Sequence, residues 1–598
     1  MRWLLLLPPL LLAVGALACA APPPPQSPHP LPAEPTRTAA SFPTEFPSLP
    51  RPVPDPSPAL LRDARLALSA FANRAPAWSR DGRTLLFLSS REGHPAAWAS
   101  SWLALDLPPT RLDPDNLVAD ATAFLPDNAS ALVLAHPLDR DAALLLRASL
   151  SGDLPQPIAR LGGLLPRDLR VASGDRSTGA LLAWDRAARS STLFVLHPLD
   201  APPRRVTNLS GAWMLLDVSP SGSHALVAPS PMPSTVTEID LSNGSASELQ
   251  TPASLQVADA AYGPDREQLW MAGTAFGRGC LVRARPARRA PAPYCIDGSL
   301  AIRTVRPSSD ASRWALAVDW PDRSEVRFIG GAALSHVTVA RLPPGTGDLV
   351  GFSPSGKAAT VAWETPSSPP DMFEIDAQHG SVRRLRADVR PTLALFDSME
   401  SRSVQLESAG ELSPVVVHAP ASAWIGRTRN HPVVVLIHTA PERPALHWDP
   451  LVRLLVARGF VVVQPLDGFA SQEPSTRTAP DAALLQSWLG MQPWADAARM
   501  GVVQLSSSEL TAFAMHRNAP DVWDAAVELR TAPWEPSDDD VAPGSTDDAR
   551  DDRRAHGSAE LEVGADAQDG SVSPAMKLAR IVAFLEHGLG VPPAGHGF

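Results

Sequence analysis

Pro76-Ala-Trp-Ser-Arg-Asp-Gly82, followed at once by Thr84-Leu-Leu-Phe-Leu-Ser-Ser90, is the stretch that decides the fold of this chain. A Ser-x-Asp-Gly turn leads into an alternating strand, and Arg91-Glu92-Gly93 supplies the next turn. Related turns recur at 124–127, 172–175, 218–222, 262–265, 305–308 and 352–356. Each precedes a strand-like run: ALVLAH, ALLAWD, HALVAP, QLWMAG, WALAVD and ATVAWE. Copies lie about 44 to 48 residues apart, the period of a four-stranded propeller blade. Seven such units bury a continuous core only by stacking, and closing the ring removes their exposed edges. The sequence thus predicts a seven-bladed β-propeller over residues 59–390. Its repeated Trp, Ser and Asp are expected to pack blades and cap turns.

The rest of the chain is bounded by arithmetic. It has 598 residues, enough for two to four domains, and a globular apolar share of 44%. The net charge of −11 argues against a nucleic-acid partner, whose backbone demands a basic face. Only Lys357 and Lys577 are lysines, so abundant Arg reflects composition and carries no functional weight. No apolar run of about 20 residues follows the N-terminus, which excludes a polytopic membrane protein. No cofactor and no metal are expected: His438 and His447 lack ligand spacing, and consecutive Asp538-Asp539-Asp540 match no spaced ligand pattern.

Residues 1–18 have the form of a secretory signal peptide: Arg2, an apolar run, then small residues. Ala16-Leu-Ala-Cys19 resembles a bacterial lipobox, with Cys19 as the lipidated residue and membrane contact through that anchor. The Pro-rich stretch 19–58 is the matching tether. An exported envelope protein is expected, periplasmic or on the outer membrane; a freely secreted chain is the alternative. Cys280 and Cys295 flank a basic, Pro-rich turn within one blade. A hairpin disulfide, which export permits, and a pair of small thiols both stay open.

After Asp388 the pattern changes to strand, helix, strand: His431–His438, Trp448–Arg458 and Phe460–Gln464. Continuous apolar strands alternating with helices predict a parallel sheet covered on both faces. The run PVVVLIHTAPE…WDPLVRLLVARGFVVVQPLDGFAS resembles the opening of the catalytic domain in the S9 prolyl oligopeptidase family, which includes acylaminoacyl-peptidase-like and dipeptidyl-peptidase-like members. The repeats in turn resemble TolB-like or WD40-like propellers, the family's N-terminal half. The resemblance implies a mixed architecture, a seven-bladed β-propeller followed by an α/β-hydrolase domain over 391–598. It also implies a serine-type peptidase ancestry, a peptide or protein ligand, and helices at 481–489 and 574–589.

Carried onto this sequence, the resemblance places the nucleophile at Ser506, at the end of a strand through Arg499–Val503. The elbow of such enzymes is G-x-S-x-G; here Gln504 and Ser508 stand at the glycine positions. The oxyanion donors would be the amides of Thr439 (or Ala440) and Ser507, but His438-Thr-Ala-Pro441 replaces H-G-G-P. The family's acid and base follow on two further strands. In their place runs the acidic segment 535–572, which reads as solvated or disordered, so the domain is expected to be truncated at its C-terminal strands. His556 and His596 are the remaining candidate bases, His596 after the last helix and so out of chain order. The leading expectation is a pseudoenzyme, an exported binding or scaffold lipoprotein that keeps the fold. Two alternatives are a serine peptidase or esterase using Ser506, and a TolB-like envelope partner acting through its propeller. Oligomeric state is not legible.

Overall fold

The computed structural model describes residues 54–591, apart from short breaks in the propeller loops (the longest at 286–292 and 331–335). Later breaks fall at 391, 394–398, 409–410, 426–430, 439–444, 467–481, 506–520, 530–558 and 564–572. The signal peptide, Cys19 and almost all of the Pro-rich tether lie outside the described residues.

Seven four-stranded antiparallel sheets run in chain order from Asn73 to Arg384. The period-two pattern explains how they stack. In the second blade Ala131, Val133 and Ala135 face the first blade, whereas Leu132 and Leu134 face the third. All five are fully buried, and each leucine contributes about 1.5–3 kcal/mol of burial. Every neighbouring pair of blades shares such an apolar cluster. The seventh meets the first through Met372 and Leu385 against Leu85, Phe87, Ala96 and Trp98. The ring is therefore closed.

The recurrent turn works by local hydrogen bonding. Ser79 Oγ accepts from the amides of Arg83 (3.1 Å) and Thr84 (2.9 Å) and donates to Asp81 (2.6 Å). Gly82 takes φ +68°, a conformation that side chains disfavour. Ser219 and Ser308 repeat the arrangement. A second repeated device ties blades together at the innermost strands. Asp168, Asp217 and Asp259 each accept the backbone amide of the next blade's inner strand, from Leu215 (3.3 Å), Tyr262 (2.9 Å) and Val305 (2.9 Å).

The second half forms one seven-stranded sheet. Its strands are β1 (Met399–Ser408), β2 (Glu411–Pro420), β3 (His431–His438), β4 (Val461–Pro465), β5 (Ala495–Leu505), β6 (Ala525–Leu529) and β7 (Ala559–Val563). The spatial order is β1-β2-β4-β3-β5-β6-β7, antiparallel as far as β4 and parallel from there on. The helices are α1 (Pro58–Leu68), α2 (Ala421–Ile425), α3 (Pro450–Ala457), α4 (Ala482–Gly490) and α5 (Pro574–Gly588). Asp449 caps α3 by accepting from Leu451 N (2.7 Å), and Ser573 caps α5 from Met576 N (3.3 Å).

Two features depart from the sequence reading. First, α1 stands at the start of the expected propeller range but packs Leu60, Ala64 and Ala67 against α3 and α5 on the α/β sheet. Arg458 strengthens that layer through Glu586 (2.6 Å). Second, β7 lies inside the stretch 535–572 that was expected to be solvated or disordered. Five residues suffice because an edge strand needs only one partner, and β7 pairs with β6 from Ala525↔Ala559 to Leu529↔Val563.

Candidate functional site

In the parallel sheet β3 and β5 are neighbours and end level, with His438 opposite Leu505. These two interior strands therefore end side by side, and Thr439 and Ser506 are the next residues in the sequence. Thr439, Ser506, Ser507, His556 and His596 themselves lie outside the described residues, as does Asp538–Asp540.

What precedes Ser506 is well defined. Gln504 is 1% exposed, in register with Ile437 on β3 and Glu528 on β6. A long amide side chain therefore fills the position that a nucleophile elbow reserves for glycine. Beyond β7 the chain reaches α5 through Gly564-Ala-Asp-Ala-Gln-Asp-Gly-Ser-Val-Ser573, a connection without histidine.

One hydrogen-bonded histidine of this unit escaped the sequence reading. His418 on β2 is 1% exposed and accepts or donates at both ring nitrogens: Nδ1 to Ser401 Oγ (2.7 Å) and Nε2 to Gln464 Oε1 (2.7 Å). Because Oε1 only accepts, Nε2 carries the proton and Nδ1 accepts from the serine. His418 lies far from the end of β5 at Leu505. It shares a row with Val462 and Val434, four residues short of His438. That is about 13 Å along the strands and about 14 Å across three of them, far beyond hydrogen-bond reach. No pattern in the sequence marks this chain of three, because its partners meet only through sheet register.

The propeller meets the α/β unit where Leu446 N donates to Asp322 O (2.8 Å). The seam between first and last blade carries a cluster of charged groups. Asp388 accepts from Asn73 (2.9 Å), Arg91 (3.2 Å) and Arg386 (2.8 Å). Burial pushes its carboxyl up, but Arg386 and Arg91 hold it below the ordinary carboxylate range. Burial lowers the guanidinium pKa of both Arg91 and Arg390. Arg390 lies over the Phe71 ring at 4.6 Å, which stabilises a cation whose Nε and Nη1 have no hydrogen-bond partner.

Cys280 and Cys295 are directly opposed on antiparallel strands and form a disulfide, which resolves the two readings that the sequence left open.

No family model and no curated protein matches the sequence. Solved structures do match. Prolyl oligopeptidase B from Galerina marginata aligns at TM-score 0.63 and 11% identity, over 89% of this chain and 90% of that one. A puromycin-hydrolyzing peptidase of Mycobacterium tuberculosis aligns at 0.57 and 15%, over 81% and 79%. An acylaminoacyl peptidase of Pyrococcus horikoshii aligns at 0.58 and 11%, over 78% of each chain. At these identities the likeness shows the fold: a seven-bladed propeller and a sheet arranged as in prolyl oligopeptidases and acylaminoacyl peptidases.

Proposed function

We propose that this chain is an exported protein of prolyl-oligopeptidase type that has lost peptidase chemistry and works by binding a peptide or protein ligand. The observation that carries the reading is Gln504, buried where the elbow needs glycine. A serine without a strained elbow and a positioned base is a weak nucleophile. Two further facts support it: the histidine-free connection between β7 and α5, and the distance of His418 from the end of β5. A single described strand, β7, stands between β6 and α5 where the family resemblance implies two, which supports a shortened C-terminal end. Export is supported by the signal-like N-terminus and by the disulfide, since such bonds persist in oxidising compartments. On this reading Cys19 is the lipid anchor.

A second reading is favoured by the level ends of β3 and β5, the strands that Thr439 and Ser506 follow in the sequence. On that reading Ser506 is the nucleophile of an active peptidase or esterase.

A fluorophosphonate serine-hydrolase probe on the mature protein separates the two. No labelling of folded protein is the expected outcome. Labelling that disappears in Ser506→Ala would overturn the pseudoenzyme reading.

A further inference from the structure

A cavity of about 270 Å³ opens between the sixth and seventh blades, lined by Ser312, Arg313, Phe328, Gly330, His336 and Thr338 among others. Its volume lies near the lower end of small-molecule sites. It arises from strand register. Arg313 is directly opposite Gly330, and Gly330 directly opposite His336, so these three positions share one face of the sixth blade. Arg313 and His336 are separated by two strand spacings, about 10 Å. Gly330 has no side chain between them, and that is what leaves the gap. A Cβ at Gly330 would lie 3.0 Å from Ser312 O and 3.5 Å from Arg313 Cγ, so any larger residue closes it.

The same face continues into apolar surface. Phe328, two residues from Gly330, packs with Leu349, Val361 and Trp363 of the seventh blade, and Ala377 adds a further wall. The polar end is made by the Arg313 guanidinium and the His336 imidazole. Among the described residues no carboxylate pairs with Arg313 or His336. The acid of the adjoining turn, Asp310, is held by Ser308 Oγ (2.6 Å) and Ser312 Oγ (2.9 Å). A guanidinium and an imidazole on one face, beside an aromatic ring, recognise a small amphipathic anion.

We infer that the gap over Gly330, between Arg313 and His336, is a binding site for a small organic monocarboxylate with a short apolar or aryl end. The carboxylate bridges Arg313 and His336, and the apolar end rests on Phe328 and Ala377. The site is formed by propeller blades alone and stands or falls independently of any chemistry at Ser506.

Phenylacetate and its neutral analogue phenylacetamide are the probes, titrated into the full mature protein by calorimetry or ligand-observed NMR. Phenylacetate should bind saturably, and the amide about tenfold or more weakly. Arg313→Gln and Gly330→Val should each weaken phenylacetate about tenfold or more. Because a Cβ at Gly330 presses on Ser312 O, folding of G330V is checked by circular dichroism; should it fail, R313Q at a half-buried position still decides. Equal binding of acid and amide, unchanged binding in folded R313Q, or no saturable binding at millimolar phenylacetate overturns the proposal. Inorganic phosphate competing as strongly as phenylacetate overturns the apolar half of it.

Discussion

Asp217 shows what a single residue does in a ring of packed sheets. Burial raises its carboxyl pKa from 3.8 to about 6, although Arg306 and the amides of Tyr262 and Val218 favour the charged form. The native state therefore holds a proton that the unfolded chain has released between about pH 4 and about pH 6. Stability from this group is present at acid pH and is lost as pH rises through that window. Asp217→Asn, which keeps an acceptor for Tyr262 N–H, should escape the loss. Its melting temperature relative to the parent should rise from pH 4 to pH 6.5, by a free-energy difference of up to about 3 kcal/mol. A gap that stays constant across this range would refute the assignment. The Ser-x-Asp-Gly turns, by contrast, were fully legible in the sequence, since Ser79, Asp81 and Gly82 act on backbone within a few residues.

At the scale of elements, the outermost strand of the fifth blade, Tyr294–Ile296, is only three residues long and is fastened by the Cys280–Cys295 bond. Closing a loop of 15 residues stabilises a fold by about 3 kcal/mol. Cys280→Ala/Cys295→Ala should lose about that much in denaturant titration and should free the hairpin to exchange amide protons first. The sequence showed two cysteines on strands but not their register, and register is what opposes them. The same limit hid the Ser401–His418–Gln464 chain and the Arg313–Gly330–His336 row. It also hid β7: the alternation of Ala559-Glu-Leu-Glu-Val563 was readable in principle, but a five-residue edge strand inside an acidic stretch offers little contrast. α1 was misplaced for another reason. Its amphipathic face is plain, but nothing local says that its partners are α3 and α5.

At the scale of the whole molecule, the ring closes without any exchange of strands between first and last blade, since every sheet is built from consecutive strands. Closure rests instead on side chains some 300 residues apart, such as Asn73 with Asp371 (3.1 Å) and Arg386 with Ser100 (2.7 Å). Asp388→Ala strips the shared acceptor from Arg91, Arg386 and Asn73 and leaves buried cations. It should cost about 3–5 kcal/mol. Hydrogen exchange should rise first in 73–89 and 382–386. Uniform loosening of all seven blades would contradict a seam held at this point.

The position of α1 has a consequence for the order in which the molecule is assembled. The helix precedes the ring in the chain, yet the helix it packs against, α5, follows about 500 residues later. The whole ring, from Asn73 to Arg384, lies between the two helices in the chain. The ring is in effect a passenger completed between two halves of one α/β layer. The α/β layer is therefore complete only when both ends of the described chain are in place, so it closes the molecule as a clasp closes a band.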